Sequence, residues 1–283
     1  MERRNIEQFR ARRDKILEYA AACCGDWNFE ELPFIGRMYI VCRFSLQCIF
    51  FEEESMPQEV KTINLWETNF LLKASGGVNC YLINTDSGYI LIDTGFHSRR
   101  NELVKALESA GCKPGNLKLI IITHADLDHI GNCAYLWEKY ATKVAIHPAE
   151  SEAVQSGNMA ANRKTSPGIM AGLLFSFVSL ITMSDRFKPD VLIEERDDLS
   201  AYGFDAKVLE LPGHSRGSIG ILTADGDLFC GDLLWNIGKP APTDLVDDSA
   251  DLQASIEKVK GLQINTVYPG HGEPFTMELF LNN

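Results

Sequence analysis

Leu117-Lys118-Leu119-Ile120-Ile121-Ile122-Thr123 leads without a break into His124-Ala125-Asp126-Leu127-Asp128-His129. The first half is an apolar run of strand length and predicts a buried β-strand. The second half then delivers four metal-capable side chains on the turn at the strand's end. Imidazole and carboxylate are the ligands that borderline and hard divalent cations take. Four of them within six residues serve no packing purpose. Further ligand types lie downstream at His214, Asp232 and His271, each beside a glycine.

The flanks read as alternating sheet and helix. Residues 60–65, 70–72, 78–83 and 89–92 predict strands, with Asp86-Ser87-Gly88 turning between the last two. Residues 101–110 form an amphipathic helix stopped at Gly111, and 131–140 predict a second helix. Strands follow at 144–146, 191–193, 206–211, 219–223 and 228–230, the last pair joined by the tight turn Asp225-Gly226-Asp227. A helix over 251–260 precedes a last strand at 266–268, which runs into Pro269-Gly270-His271-Gly272. The plan is an α/β one, two sheets covered by helices.

The 283 residues carry a net charge of -12, which argues against nucleic acid, because phosphate neutralisation needs clustered Lys and Arg. The eight cysteines include no C-x-x-C pair and read as buried thiols of a reducing compartment. The basic N-terminus has no apolar core directly behind it, so no signal peptide is expected and the chain is read as cytoplasmic. Residues 1–58 form an extension without visible chemistry, and 59–283 form the catalytic domain. The apolar stretch 38–51 is too short to span a bilayer and predicts a buried hairpin or helix.

Residues 165–184 carry no charge. By length the segment rivals a membrane span, but it falls between two strands of the domain. It is expected as an apolar helical insert, in the core or as a lid, with weak membrane-surface contact as its outermost role and no transmembrane span. Asn162-Arg163-Lys164 just before it reads as a solvated loop, its sharper reading being a hold on an anionic substrate group.

The ordered motifs resemble the metallo-β-lactamase superfamily over about residues 60 to 275. His124-x-Asp126-x-Asp128-His129 is similar to its H-x-H-x-D-H signature. Asp93-Thr94-Gly95, Pro212-Gly213-His214-Ser215-Arg216-Gly217-Ser218, Gly231-Asp232 and Gly270-His271-Gly272 resemble its other motifs, and Val78-Asn79-Cys80-Tyr81-Leu82 its early strand. The resemblance implies a four-layer αββα sandwich with a dinuclear metal site at one edge of the sheets. His124, Asp126 and His214 would hold the first ion, and Asp128, His129 and His271 the second. Asp232 would bridge them and Asp93 would support the ligands from behind. His147 and Trp235 are candidates for the substrate pocket; His97 is read as a solvated helix start.

Asp126 departs from the usual His and makes the site harder and more negative, which favours iron or manganese relative to zinc. The implied cofactors are two divalent ions, zinc first. The implied activity is that of a glyoxalase II-like metallo-hydrolase. A metal-bridging hydroxide, oriented by Asp128, would cleave a small ester, thioester or related acyl substrate. Trp235 lacks the phenol that lactonases of the superfamily offer, and only Lys258 and Lys260 remain after residue 240 to meet glutathione. Two other readings stay open: a diiron redox protein of the same fold, and a non-catalytic binding module that uses the apolar insert.

Overall fold

The structure, a computed structural model, describes residues 39–40, 49–50, 58–66, 77–158, 161–164 and 186–283. The chain divides into two units, 1–56 and 57–283. In the first, β1 (Tyr39–Ile40) pairs antiparallel with β2 (Ile49–Phe50), the extended alternative for that apolar stretch. The strand expected at 70–72 and the insert expected at 165–184 lie outside the described residues.

The second unit holds two large sheets. The first is ordered β3 (Val60–Trp66), β4 (Gly77–Thr85), β5 (Gly88–Ile92), β6 (Leu117–Ile122), β7 (Lys143–Ile146) and β8 (Val191–Leu192). Its first two pairings are antiparallel and the rest parallel. The second contains β9 (Ala206–Glu210), β10 (Ile219–Thr223), β11 (Asp227–Gly231), β14 (Thr266–Pro269) and β15 (Phe275–Thr276), in the order β15-β14-β11-β10-β9. Between β11 and β14 the chain makes the small ribbon β12 (Leu234–Asn236) and β13 (Pro240–Pro242).

Burial on both faces explains the unbroken apolar run of β6. Leu119 and Ile121 join Tyr81, Ile90 and Ile92 against Phe204, Val208, Ile221 and Phe229 of the other half, forming the core between the sheets. Ile120 and Ile122 point the other way, into a core with Leu103 and Leu107 of α1 (Arg100–Ser109) and Leu136 and Tyr140. The far face of the second sheet buries Leu209, Leu228 and Val267 under Leu252, Ile256 and Val259. Those three come from α5 (Ser249–Lys260). Three cores separate four layers, in the order helix, sheet, sheet, helix.

The helix expected over 131–140 is present from Cys133 to Tyr140, and a short helix that the sequence reading did not foresee precedes it. α2 (Leu127–Ile130) begins inside the metal-type motif, and α3 (Cys133–Tyr140) follows a break. The break is enforced by Asn132, whose amide donates to the carbonyls of Thr94 and Phe96 at 2.7 and 2.9 Å. That side chain ties the motif to the loop after β5. α4 (Pro148–Ser156) follows β7, and α6 (Met277–Leu281) follows β15. No helix among the described residues is long and apolar enough to cross a membrane.

Candidate metal centre

The expected ligands follow strand ends: His124 follows β6, Asp232 follows β11 and His271 follows β14, while His214 lies in the loop between β9 and β10; Asp93, expected behind them, follows β5. The two sheets are joined beneath them. Ile219 N–H donates to the Thr123 carbonyl at 3.0 Å, and Asn79 donates to the carbonyls of Pro269 and Gly272 at 3.0 and 2.6 Å. Side chains far apart in the chain are thereby held around one point.

The orientation of all four imidazoles follows from what lies behind them. His214 Nδ1–H donates to the Leu245 carbonyl at 2.7 Å and His271 Nδ1–H to the Gly77 carbonyl at 2.9 Å. His129 Nδ1–H donates to Asp93 Oδ2 at 2.8 Å. The Thr123 hydroxyl also donates to Asp93 Oδ2, at 2.8 Å, so its oxygen is left to accept from His124 Nδ1–H at 3.1 Å. With every Nδ1 engaged, each Nε2 faces the centre, the arrangement by which acceptors behind a histidine fix a metal-ready tautomer.

The facing atoms form two groups. His124, His214 and Asp232 make one, and Asp128, His129 and His271 the other. Asp126 Oδ2 completes the first, 3.0 Å from His214 Nε2 and 3.7 Å from His124 Nε2. Asp232 lies between the groups. Its Oδ2 is 3.9 Å from His214 Nε2 and 3.3 Å from His271 Nε2, and its Oδ1 is 3.4 Å from His129 Nε2. Ligands at 2.0–2.1 Å around a tetrahedral cation stand roughly 3.4 Å apart, so these spacings suit ions. Three buried atoms, His124 Nε2, His129 Nε2 and Asp232 Oδ1, have no hydrogen-bond partner. Buried polar atoms are costly when orphaned, and a cation at each group would satisfy all three.

Charge in the cluster is divided. Burial holds the His124 imidazole well below its ordinary value, helped by the neighbouring His129 and His214. Burial also opposes charge on His271, but Asp232 and Asp128 outweigh it and push it up to about 10. Burial is likewise outweighed at His129, chiefly by Asp93, and at His214 by Asp126, so both are raised. Asp126 and Asp232 are held well below the carboxylate range despite burial, the first by His214 and Arg163, the second by His271 and His129.

Arg163 belongs to the site, where the sequence reading favoured a solvated loop. Its Nη2 lies 2.5 and 2.6 Å from the two Asp126 oxygens, and its Nη1 donates to the His214 carbonyl. Two other site residues, Thr123 and Glu150, carried no sequence signal. Thr123 reads as the last residue of a strand, and Glu150 as an ordinary acidic residue in a helix's first turn.

His147 is not among the converging imidazoles. It caps α4, its Nδ1 accepting from Ala149 N–H, and its Nε2 lies 3.3 Å from Glu210. Trp235 is half-buried on β12, beside Asn236, whose N–H donates to the His271 carbonyl at 2.9 Å. His97 is exposed at the start of a short 3-10 helix. Asp225 and Asp227 flank the turn into β11, outside both metal groups.

A buried set of strand-end imidazoles and carboxylates is the architecture of a metal-dependent hydrolase. Residues 75–271 match the Metallo-beta-lactamase superfamily, and the chain belongs to it. It is similar to hydroxyacylglutathione hydrolase GloC of Haemophilus influenzae, 27% identical over 70% of this chain and 87% of that one. It is also similar to acyl-coenzyme A thioesterase MBLAC2 of Bos taurus, 25% identical over 75% and 79% of the two chains. A beta-lactamase-like protein 2 homolog of Caenorhabditis elegans, 25% identical over 69% of this chain, is matched over 56% of its own length. Among solved structures, TTHA1623 in a di-iron-bound form superposes with a TM-score of 0.55 at 26% identity, over 77% of this chain and 96% of that one.

Proposed function

We propose that this chain is a dinuclear metallo-hydrolase acting on a small thioester or ester. The observation that carries the reading is the set of Nε2 and carboxylate atoms turned to one centre with every Nδ1 engaged behind it. His124, Asp126 and His214 would hold the first ion, Asp128, His129 and His271 the second, and Asp232 would serve both. When bound, two divalent cations lower the pKa of water from 15.7 to about 7 and polarise a substrate carbonyl. Asp128, whose side chain is 18% exposed, is placed to orient the attacking water and accept its proton. Asp93 keeps His129, and through Thr123 also His124, in the ligating tautomer.

The thioester class is supported by the names of two relatives, a hydroxyacylglutathione hydrolase and an acyl-coenzyme A thioesterase. Trp235 would wall the substrate pocket, and His147 is assigned to capping α4. The four described cysteines, Cys80, Cys112, Cys133 and Cys230, are buried free thiols, which supports a reducing compartment. Zinc is the ion proposed first; the di-iron neighbour supports iron as the second reading.

Elemental analysis of the purified chain, paired with a panel of acyl thioesters and esters, tests the proposal. Two ions per chain with thioester cleavage is the expected result. Two bound ions without cleavage of any substrate would remove the hydrolase reading, and oxidised iron with its visible absorption band would favour the redox one.

A further inference from the structure

Glu150 is a carboxylate with no solvent exposure, at the start of α4 and absent from both metal groups. An ionised group in such a place is costly unless its oxygens are saturated with donors. They are. Oε2 accepts from Ala125 N–H at 2.9 Å and from the Asn162 amide at 2.6 Å. Oε1 accepts from the Ser215 hydroxyl at 2.7 Å and from Gly217 N–H at 2.8 Å.

The donors are not a random sample of the surroundings. Ala125 separates His124 from Asp126. Ser215 follows His214. Asn162 precedes Arg163, the guanidinium that grips Asp126 and the His214 carbonyl. The same loops meet again where Arg216 N–H donates to the Asn162 carbonyl at 2.9 Å. A Cβ on Gly217 would stand 2.8 Å from Glu150 Cγ, so the 214–218 loop lies directly on this side chain.

The other half of the cluster does not touch Glu150. His129 is held by Asp93, which also reaches His124 through Thr123, and His271 by the Gly77 carbonyl. The strand before His271 is held by Asn79, which meets the backbone of Pro269, Gly270 and Gly272. Among the described residues no donor to Glu150 comes from Asp128, His129, His271 or their immediate neighbours; within the motif the contact is made at Ala125, between His124 and Asp126.

We infer that Glu150 is the positioning residue for the first ion, gathering the loops that carry His124, Asp126 and His214 on one carboxylate, so that its loss empties the first position before the second. The inference rests on the dinuclear reading above. Glu150→Gln keeps the shape but turns one acceptor into a donor facing N–H groups. Asn162→Ala and Ser215→Ala remove single donors to the carboxylate.

The test is ion counting on zinc-loaded protein after passage over a chelating resin, with stepwise affinities from competition against a chromophoric chelator. Cobalt substitution adds a visible spectrum that reports ligand geometry. Wild type is expected to keep two ions, and Glu150→Gln one. The affinity of one position should fall 10- to 100-fold and that of the other stay within about twofold, and the double variants identify which one fell. Adding His271→Ala to Glu150→Gln should expel the remaining ion, whereas adding His214→Ala should not. A merely structural role would lower the melting temperature and weaken both positions together.

Two retained ions with unchanged affinities, or equal weakening of both, overturns the inference. If Glu150→Gln does not fold by circular dichroism, Asn162→Ala and Ser215→Ala decide it: selective weakening of one position supports the inference, and no selectivity overturns it. Fewer than two ions in wild type overturns the dinuclear reading itself, a distinct failure.

Discussion

Arg163 holds both oxygens of Asp126 with a single nitrogen, at 2.5 and 2.6 Å, and fastens the His214 carbonyl with the other. The superfamily's usual His at position 126 would bring no charge; here an anion arrives together with its own cation. Arg163→Met is therefore expected to leave a carboxylate that is only 22% exposed beside His214 without its guanidinium partner. Charge-assisted hydrogen bonds contribute about 1.5–3 kcal/mol, so the metal-free protein should lose about 2 kcal/mol. Urea denaturation with and without zinc checks this, and the loss should shrink when the ion is present.

Asp93→Asn should weaken ion binding by about 10- to 100-fold, the usual consequence of removing an acceptor behind a metal-ligating histidine. An amide in place of Oδ2 faces two donors, His129 Nδ1–H and the Thr123 hydroxyl. Chelator competition reads the effect directly, and an unchanged affinity would show that Asp93 does not fix the tautomer.

The imidazoles also set a pH dependence. His271 is pushed up to about 10 from an ordinary 6.5, with His129 and His214 raised as well. A group raised on folding contributes stability that is fully present below its unfolded value and lost as pH climbs through its folded value. The metal-free protein should therefore lose stability between pH 6.5 and about 10. Asp126 and Asp232 act at the other end, their contribution fading as acid takes the pH below the ordinary carboxylate value of 3.8. Ion binding near neutrality must displace protons from the raised imidazoles. Calorimetry in two buffers of different ionisation enthalpy should register that release, and zinc affinity should rise with pH.

Gly270→Ala should disable the centre while leaving the fold intact. A Cβ there would run into Asp232 Oδ1 and stand 2.9 Å from His129 Cε1. Backbone at that point can approach the ligands only without a side chain. Ion content should drop, with a far-UV spectrum like that of wild type.

Phe229→Ala tests the core between the sheets. The ring is fully buried, with centroids 4.8 Å from Tyr268 and 5.2 Å from Tyr81. Truncating such a residue costs about 3–5 kcal/mol. A urea midpoint shift well below that would mean the two sheets repack without it.

Much of this architecture was legible because it depends on local pattern. The apolar run 117–122 announces a strand buried on both faces, and a cluster of ligand types at its end announces the centre. His214, Asp232 and His271 could be named because each sits in a short motif beside a glycine, and Asp93 because Asp93-Thr94-Gly95 closes a strand. Arg163 and Glu150 were another matter. Their roles arise from partners 37 and 65 residues away in the chain, and nothing near either residue distinguishes it from a surface charge. The short helix α2 and the start of α3 at Cys133 rather than 131 were missed for the same reason: the carbonyls that capture Asn132 lie 38 and 36 residues upstream.

Strand ends supply the floor of the centre, while Arg163, Trp235 and Leu245 come from the connections around it. A change in those connections reaches Asp126 and His214 directly, through the guanidinium and the Leu245 carbonyl, whereas Asp232 and His271 stand at strand ends and answer to the sheets. One side of the centre is thus tuned by loops and the other by the sheets.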